Sequence, residues 1–337
     1  MIKICVAGAT GRMGSVLIKE ALARGFNVVG AVAAKEDPNV GKTLQEAGIC
    51  DSNVEIVESS QLKAAVKEAD VYLSFTTPEA EVANLPVVAS LGKRIIMGTT
   101  GLTDEQMKKL KEAVASKVPA VFSPNYAIGV NILFKLTKTL NLFPRDYDFS
   151  ITEIHHTGKK DAPSGTAKKL GELISANRGY STVVYGREGL NARKPSELEI
   201  LSIRAGGVPG VHDLIVAGPH EMIRIEHVAF SRNVFAQGAL LAAKRVVIKF
   251  GGADLSSGEK IKKAAEMVLG SGYEEVVVVV SAIADTTNNL VKIMSQIGGL
   301  SDQDYAEIVS MGERTSARIF CSALRSIGAE AIYLEPN

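Results

Sequence analysis

Residues 2–14 read Ile2-Lys3-Ile4-Cys5-Val6-Ala7-Gly8-Ala9-Thr10-Gly11-Arg12-Met13-Gly14. The opening run is apolar and β-branched, as a buried strand is, and SVLIKEALARG (15–25) follows with helical spacing. A strand, a glycine turn and a helix form the context that a dinucleotide fingerprint needs. The turn must be tight, the backbone must approach a pyrophosphate closely, and the helix N-terminus must face the phosphates. Ala9 stands where the first glycine of the usual pattern would be, with Gly11 and Gly14 in register. A glycine turn can also be plain punctuation after a strand, but its place here favours the cofactor. Cofactor choice is set at the tip of the second strand, here Ala33-Ala34-Lys35-Glu36-Asp37. The small residues and Lys35 favour NADPH, while Glu36 and Asp37 leave NADH open.

Outward from that loop, NVVGAVA (27–33), DVYLSF (70–75), RIIMGT (94–99) and AVFSPN (120–125) read as further strands. Helical stretches lie between them, among them DEQMKKLKEAVASK (104–117), which Thr103 and Gln106 open as a capping box. The expected fold is α/β, a Rossmann-like doubly wound parallel sheet over residues 1–126. After Tyr126 an apolar helix over 127–142 is expected. Extended segments with alternating polarity follow (YDFSITEIHH, SELEILSIRAG, HDLIVAG, EMIRIEHVAFS), as in an α+β domain with a mixed sheet over 127–232. The helix NVFAQGALLAAK (233–244) closes that unit, and residues 233–243 are assigned back to the dinucleotide domain.

Composition excludes several classes. A net charge of +1 gives no footprint for nucleic acid or an anionic membrane, and the absence of Trp weakens any base-stacking reading. The apolar run at Val276–Val280 is far too short to span a bilayer. Cys5, Cys50 and Cys321 are odd in number and form no Cys-x-x-Cys, so reduced thiols are expected, neither a disulfide frame nor a zinc site. Because Met1 leads directly into a strand, no signal peptide is expected and the protein is placed in the cytoplasm.

The densest chemistry lies in EIHHTGKKDAPSGTAKKLGE (153–172). Glu153 to His156 would end a strand, and Ser164 would cap a helix. Free N–H groups at Gly165 and Thr166 would then hold a carboxylate, with Lys159 and Lys160 adding positive charge. A histidine there can donate a proton near neutral pH. A histidine pair alone is more often structural, and adjacent strand residues point to opposite faces, which argues against a shared metal. Beside a dinucleotide loop, the pair suits protonation of a dicarboxylate that receives hydride.

Glu153, His155, His156, Lys159, Asp161, Pro163, Ser164, Gly165 and Thr166 complete the motif E-x-H-H-x-x-K-x-D-x-P-S-G-T. GATGRMG (8–14), SFTTPE (74–79), MGTTG (97–101) and SPNYAIGVN (123–131) fall in matching order. On these motifs residues 1–243 resemble the dihydrodipicolinate reductase (4-hydroxy-tetrahydrodipicolinate reductase) family. The resemblance implies reduction of 4-hydroxy-tetrahydrodipicolinate, by way of dihydrodipicolinate, to tetrahydrodipicolinate in lysine and diaminopimelate biosynthesis. It makes His155 the general acid and Lys159 its companion proton donor. His156, Gly165 and Thr166 become contacts to the substrate carboxylates. Gly8, Gly11, Arg12, Met13, Gly14, Lys35, Gly98, Thr99, Thr100 and Asn125 would hold NADPH or NADH, with Phe75 near the nicotinamide. It also implies a homotetramer. Thr77 and Thr157-Gly158 depart from residues seen in some members.

From Arg245 the sequence changes again. VIKFGG (247–252), VVVVVSAIADTTNNL (276–290) and SMGERTSARIF (310–320) resemble the opening of an amino-acid kinase domain, nearest to aspartokinase. By position Lys249, Gly251 and Gly252 would touch phosphates, and Ser281 and Glu313 would face an amino acid. Ala253-Asp254 replace the family's usual Thr-Ser, and the chain ends before the half that would hold the nucleotide. A partial kinase-like unit without independent kinase activity is expected. An aspartate phosphotransferase and a silent pathway scaffold are the alternative readings. Homoserine dehydrogenase is set aside, because the double-histidine segment is foreign to it.

Overall fold

The computed structural model describes residues 1–115, 117–270 and 275–334, without the side chains of 245–247, 249 and 275. The chain divides into two compact units, Met1–Ala243 and Lys244–Asn337.

The first unit opens with β1 (Lys3–Ala7), α1 (Gly14–Ala23), β2 (Asn27–Ala33), β3 (Ile56–Glu58) and α2 (Leu62–Ala65). It continues with β4 (Val71–Ser74), α3 (Pro78–Ser90), β5 (Arg94–Met97), α4 (Asp104–Val114) and β6 (Ala120–Phe122). The six strands form one parallel sheet in the order β3-β2-β1-β4-β5-β6. Strand order reverses beside β1, so a crevice opens beyond the C-terminal ends of β1 and β4, the place where such sheets take ligands. The strands are nearly continuous apolar runs because both faces are covered: Ile4, Val6, Leu17 and Leu73 share one core, and Cys5, Tyr72, Leu85 and Ile95 another. Burial pushes the Cys5 thiol up to about 12, so it packs as an inert apolar group. The capping box of Thr103 and Gln106 starts α4.

Next come α5 (Ile128–Leu136), β7 (Asp148–His155), α6 (Gly165–Arg178), β8 (Thr182–Val184), β9 (Glu197–Arg204), β10 (Val211–Ala217) and β11 (Met222–Val228). The helix expected over 127–142 is shorter: α5 ends at Leu136 and a 3-10 turn runs over Thr137–Leu142. The hydroxyls of Thr137 and Thr139 donate back to the carbonyls of Phe134 and Leu136, which favours the tighter winding. The second sheet is mixed, in the order β11-β10-β7-β9-β8. One face carries Phe149, Ile151, Leu198, Ile200, Leu214 and Val216 against α6. Finally α7 (Asn233–Lys244) buries Ala236, Ala239, Leu240 and Ala243 in the core that holds Ile4 and Leu17. Gly238 allows this, since a Cβ there would stand 1.7 Å from the Tyr126 carbonyl oxygen.

In the second unit β12 (Arg245–Phe250) and β13 (Glu275–Val280) pair in parallel, with α8 (Gly258–Leu269) between them in sequence. α9 (Thr286–Ile297) and α10 (Asp302–Ser326) follow. Phe250, Leu255, Ile261, Ala265, Phe320 and Leu324 form its core.

Candidate active site

Two surfaces of the first unit carry the chemistry. At the glycine loop, Gly8 adopts φ +73° and donates its N–H to the Val32 carbonyl. A Cβ on Gly8 would stand 2.5 Å from the Phe75 carbonyl oxygen, and one on Gly14 would stand 2.0 Å from the Gly8 carbonyl oxygen. No larger residue fits either place, so the loop presses backbone on backbone and turns the start of α1 towards the crevice. That cradle suits a dinucleotide pyrophosphate. Gly11 donates to the Gly8 carbonyl, Arg12 is exposed, and Met13 is the residue before α1. At the tip of β2, Lys35 is exposed, whereas Asp37 accepts from the Thr10 hydroxyl at 2.5 Å and from the Asn39 N–H at 2.9 Å. Burial works against ionising Asp37, but those bonds outweigh it and hold its carboxyl below the usual range. Beyond β4 and β5, the Phe75 ring lies over Gly98, where a Cβ would be 2.1 Å from the ring, and meets Tyr126 edge-on at 5.9 Å. Thr100 is exposed, but Thr99 is buried.

The second surface is built by strand register. Glu153 and His155 alternate with Ile154 along β7, so both face α6. The antiparallel pairing sets Glu153 opposite His212 and His212 opposite His227. The parallel pairing sets His155 beside Arg204. Glu153 is fully buried. Its Oε2 is 2.5 Å from His155 Nδ1 and accepts from Arg204 Nη1 at 2.9 Å, while Oε1 accepts from Arg204 Nη2 at 2.8 Å and from the Ser164 N–H at 3.1 Å. Burial opposes its charge, but the bonds from His155 and Arg204 overwhelm that effect and drive the carboxyl far below the ordinary carboxylate range. A permanent carboxylate fixes the proton of His155 on Nδ1 when the ring is neutral, which leaves Nε2 outside that pair. Gly210 keeps that side open, because a Cβ there would approach Nε2 to 3.2 Å. His212, edge-on to His155 at 5.2 Å, is held down to about 3 by burial and by the neighbouring His155. It is therefore neutral, and its Nε2 hydrogen-bonds with the Ser164 hydroxyl at 3.1 Å.

Ser164 caps α6 by accepting from the Ala167 N–H. The N–H groups of Gly165 and Thr166 have no acceptor among the described residues, and they point from a helix N-terminus as an anion site requires. The Thr166 hydroxyl accepts from Asn125 at 3.0 Å, so Asn125 ties the two surfaces together. His156 turns the other way from His155 and lies 3.4 Å from Arg12 of the glycine loop. Burial lowers its basicity, and Arg12, Arg232, His155 and Lys159 lower it further, so cations surround this mouth. Lys159 rests on Asp161 at 2.8 Å. Thus His155, Lys159, His156, Gly165 and Thr166 converge, and Arg12 and Asn125 join them from the dinucleotide side. Glu153 lay inside the motif without a role, and Arg204 and His212 were missed altogether. Only the strand register brings those two in, and a single sequence does not display it. Among the described residues, no three His, Cys, Asp or Glu side chains gather to hold a metal. No helix among them is long and apolar enough to cross a membrane.

Comparison with known proteins agrees with this geometry. The family profile for the dihydrodipicolinate reductase N-terminus matches residues 2–126, and that for its C-terminus matches 129–257. The 4-hydroxy-tetrahydrodipicolinate reductase of Methanosarcina barkeri is 42% identical over 250 residues, covering 73% of this chain and 94% of its own. That of Methanocaldococcus jannaschii is 42% identical over 256 residues, covering 74% and 93%. The chain belongs to the 4-hydroxy-tetrahydrodipicolinate reductase family. A dihydrodipicolinate reductase structure from Paenisporosarcina sp. TG-14, with dipicolinate bound, shares the fold with a TM-score of 0.56. It is 23% identical, and the match covers 82% of this chain and 97% of that one. The reductase uses NAD(P)H to convert 4-hydroxy-tetrahydrodipicolinate, through dihydrodipicolinate, to tetrahydrodipicolinate in lysine and diaminopimelate biosynthesis. The amino acid kinase family matches residues 244–337.

In that tail Glu313 is exposed, Ser281 donates its N–H to the Phe250 carbonyl, and the Lys249 side chain lies outside the described residues. The N–H of Gly251 donates to the Asp254 carboxylate at 2.9 Å.

Proposed function

We propose that His155 is the general acid of this reductase, that Lys159 assists it, and that NADPH is the preferred cofactor. A bound reduced nicotinamide supplies hydride to the substrate ring. The chain's own residues then manage charge and protons. The N–H groups of Gly165 and Thr166, with His156, take the substrate carboxylates, and Lys159 moves from Asp161 towards the anion. His155, charged through Nε2 and anchored through Nδ1 on Glu153, delivers the proton. The observation that carries this reading is the Arg204–Glu153–His155 chain at the head of α6. It orients one histidine nitrogen beside an anion site that faces the glycine loop.

NADPH is supported by the commitment of Asp37 to Thr10 and Asn39, which leaves exposed Lys35 as the group at the tip of β2 able to meet a 2′-phosphate. A boundary between dinucleotide and substrate domains near 126–127, with residues 233–243 returning to the first, accords with the two sheets. The homotetramer is supported by the open face of the mixed sheet, where Leu201, Ile203, Met222 and Val228 are each at least 40% exposed. A cytoplasmic location accords with three free cysteines. The tail is read as inactive for phosphoryl transfer, because Asp254 places a carboxylate on the glycine loop where a phosphate would need N–H donors.

The test is oxidation of NADPH, and separately NADH, with substrate generated from pyruvate and aspartate semialdehyde by the upstream synthase. His155→Gln should lower kcat by about 10²–10⁴-fold while leaving the dissociation constant for NADPH nearly unchanged. Equal turnover would refute the assigned role.

A further inference from the structure

Glu81 is a fully buried carboxylate in the first turn of α3, and the chemistry above does not use it. Its Oε1 accepts from the hydroxyls of Ser74 at 2.5 Å, Thr76 at 2.6 Å and Thr99 at 2.5 Å. Its Oε2 has no partner among the described residues. The three hydroxyls come from different places: the last residue of β4, the turn that follows it, and the turn after β5. Thr99 also accepts the Thr76 N–H at 2.8 Å, and Gly98 donates its N–H to the Ser74 carbonyl at 2.9 Å.

A buried carboxylate without a cation is costly, so its place calls for a reason. Three hydroxyls converge on this one oxygen as donors, which fixes their rotamers. An amide would put an NH2 group in the place of Oε2, where no partner stands among the described residues. The two turns locked in this way carry Phe75 and Gly98, and the Phe75 carbonyl abuts Gly8 of the glycine loop. One buried oxygen therefore sets the spacing of the β4 and β5 turns, and through Phe75 their spacing from the glycine loop.

We infer that Glu81 is a positioning residue for the nicotinamide cofactor, acting through the turns that bear Phe75 and Thr99. The inference rests on the reading of those turns as the cofactor surface. It assigns Glu81 no contact with substrate and no part in proton transfer.

The test uses the full chain and the isosteric Glu81→Gln, which spares the volume of the site. The dissociation constant for NADPH, followed by nicotinamide fluorescence without turnover, should rise about tenfold, the scale of one disrupted buried hydrogen bond. Substrate KM should stay within about twofold, and the pH profile of kcat should not move. Ser74→Ala should weaken NADPH binding in the native background and add little in Glu81→Gln, as a shared network requires. A folded Glu81→Gln protein that binds NADPH within about twofold of the native value would overturn the inference, as would an equal rise in substrate KM. Failure of the native chain to bind either nicotinamide cofactor would instead overturn the reading of the surface itself.

Discussion

Two glutamates are fully buried in the reductase unit, and they are held in opposite ways. Glu153, on the substrate side, spreads four bonds over both oxygens, two of them from the guanidinium of Arg204. Glu81, on the cofactor side, gathers three hydroxyls on one oxygen, and no cation among the described residues binds it. Glu153 is a charge neutralised in place and bonded to the His155 ring, so it is suited to orienting that ring. Glu81 is bonded by hydroxyls from separate turns, which is suited to fixing distances between loops. Burial alone therefore does not say what a carboxylate is for. Its partners do.

The largest effect should come from Glu153→Ala. It would leave the Arg204 charge without its carboxylate and free the His155 ring to turn. Removing one partner of a buried ion pair costs about 3–5 kcal/mol, to be read by chemical denaturation. Turnover should fall at least about a hundredfold, since the acid loses its orientation. Glu81→Ala removes no cation's partner, so its stability loss should be smaller, about 1–3 kcal/mol for hydroxyls left without an acceptor. If the two variants cost the same stability, the contrast drawn between them fails.

The two sides should also part with pH. His212 is neutral in the fold and held down to about 3, against 6.5 for an ordinary histidine. The unfolded chain therefore binds a proton that the native chain refuses. Stability is full above pH 6.5 and falls as pH drops from 6.5 towards 3, by at most about 1.4 kcal/mol per pH unit from this one group. Glu153, depressed below the ordinary 4.5, adds its own loss only below that value. Melting temperatures of His212→Asn between pH 6.5 and 4.5 should show a flatter slope than those of the native chain. An unchanged slope would mean that His212 is charged in the native state.

The glycine loop and the histidine segment could be read because each packs its chemistry into about fifteen consecutive residues. The strand at 2–9, the loop at 8–14 and the Ser164 cap are local matters of sterics and hydrogen bonding. Arg204, His212 and Glu81 are not local. Arg204 reaches Glu153 only because β9 runs parallel to β7 in one register, and His212 meets the site only because β10 runs antiparallel in another. Glu81 reads in sequence as one more acidic residue near a helix start. What makes it different is that residues 74, 76 and 99 turn their hydroxyls to it, which follows from the order of β4 and β5 in the sheet. The expected helix over 127–142 failed for a smaller reason, two threonines whose hydroxyls compete for helical carbonyls.

The smallest effect should separate a cap from a catalyst. Ser164 accepts the Ala167 N–H as the cap of α6 and shares a hydrogen bond between its hydroxyl and His212 Nε2, while its own N–H serves Glu153. Ser164→Ala keeps that backbone bond and removes only the hydroxyl. Loss of the cap should cost about 1 kcal/mol of stability, with the bond to His212 adding a similar amount. Glu153 and Arg204 remain in place, so His155 keeps its orientation, and kcat should fall less than about tenfold. Substrate KM should rise modestly, because the first turn of α6, which presents the N–H groups of Gly165 and Thr166, would be less firmly wound. A fall in kcat as large as that of His155→Gln would mean that the Ser164 hydroxyl acts in proton transfer, and the histidine row would then have to be read as a relay ending at His212.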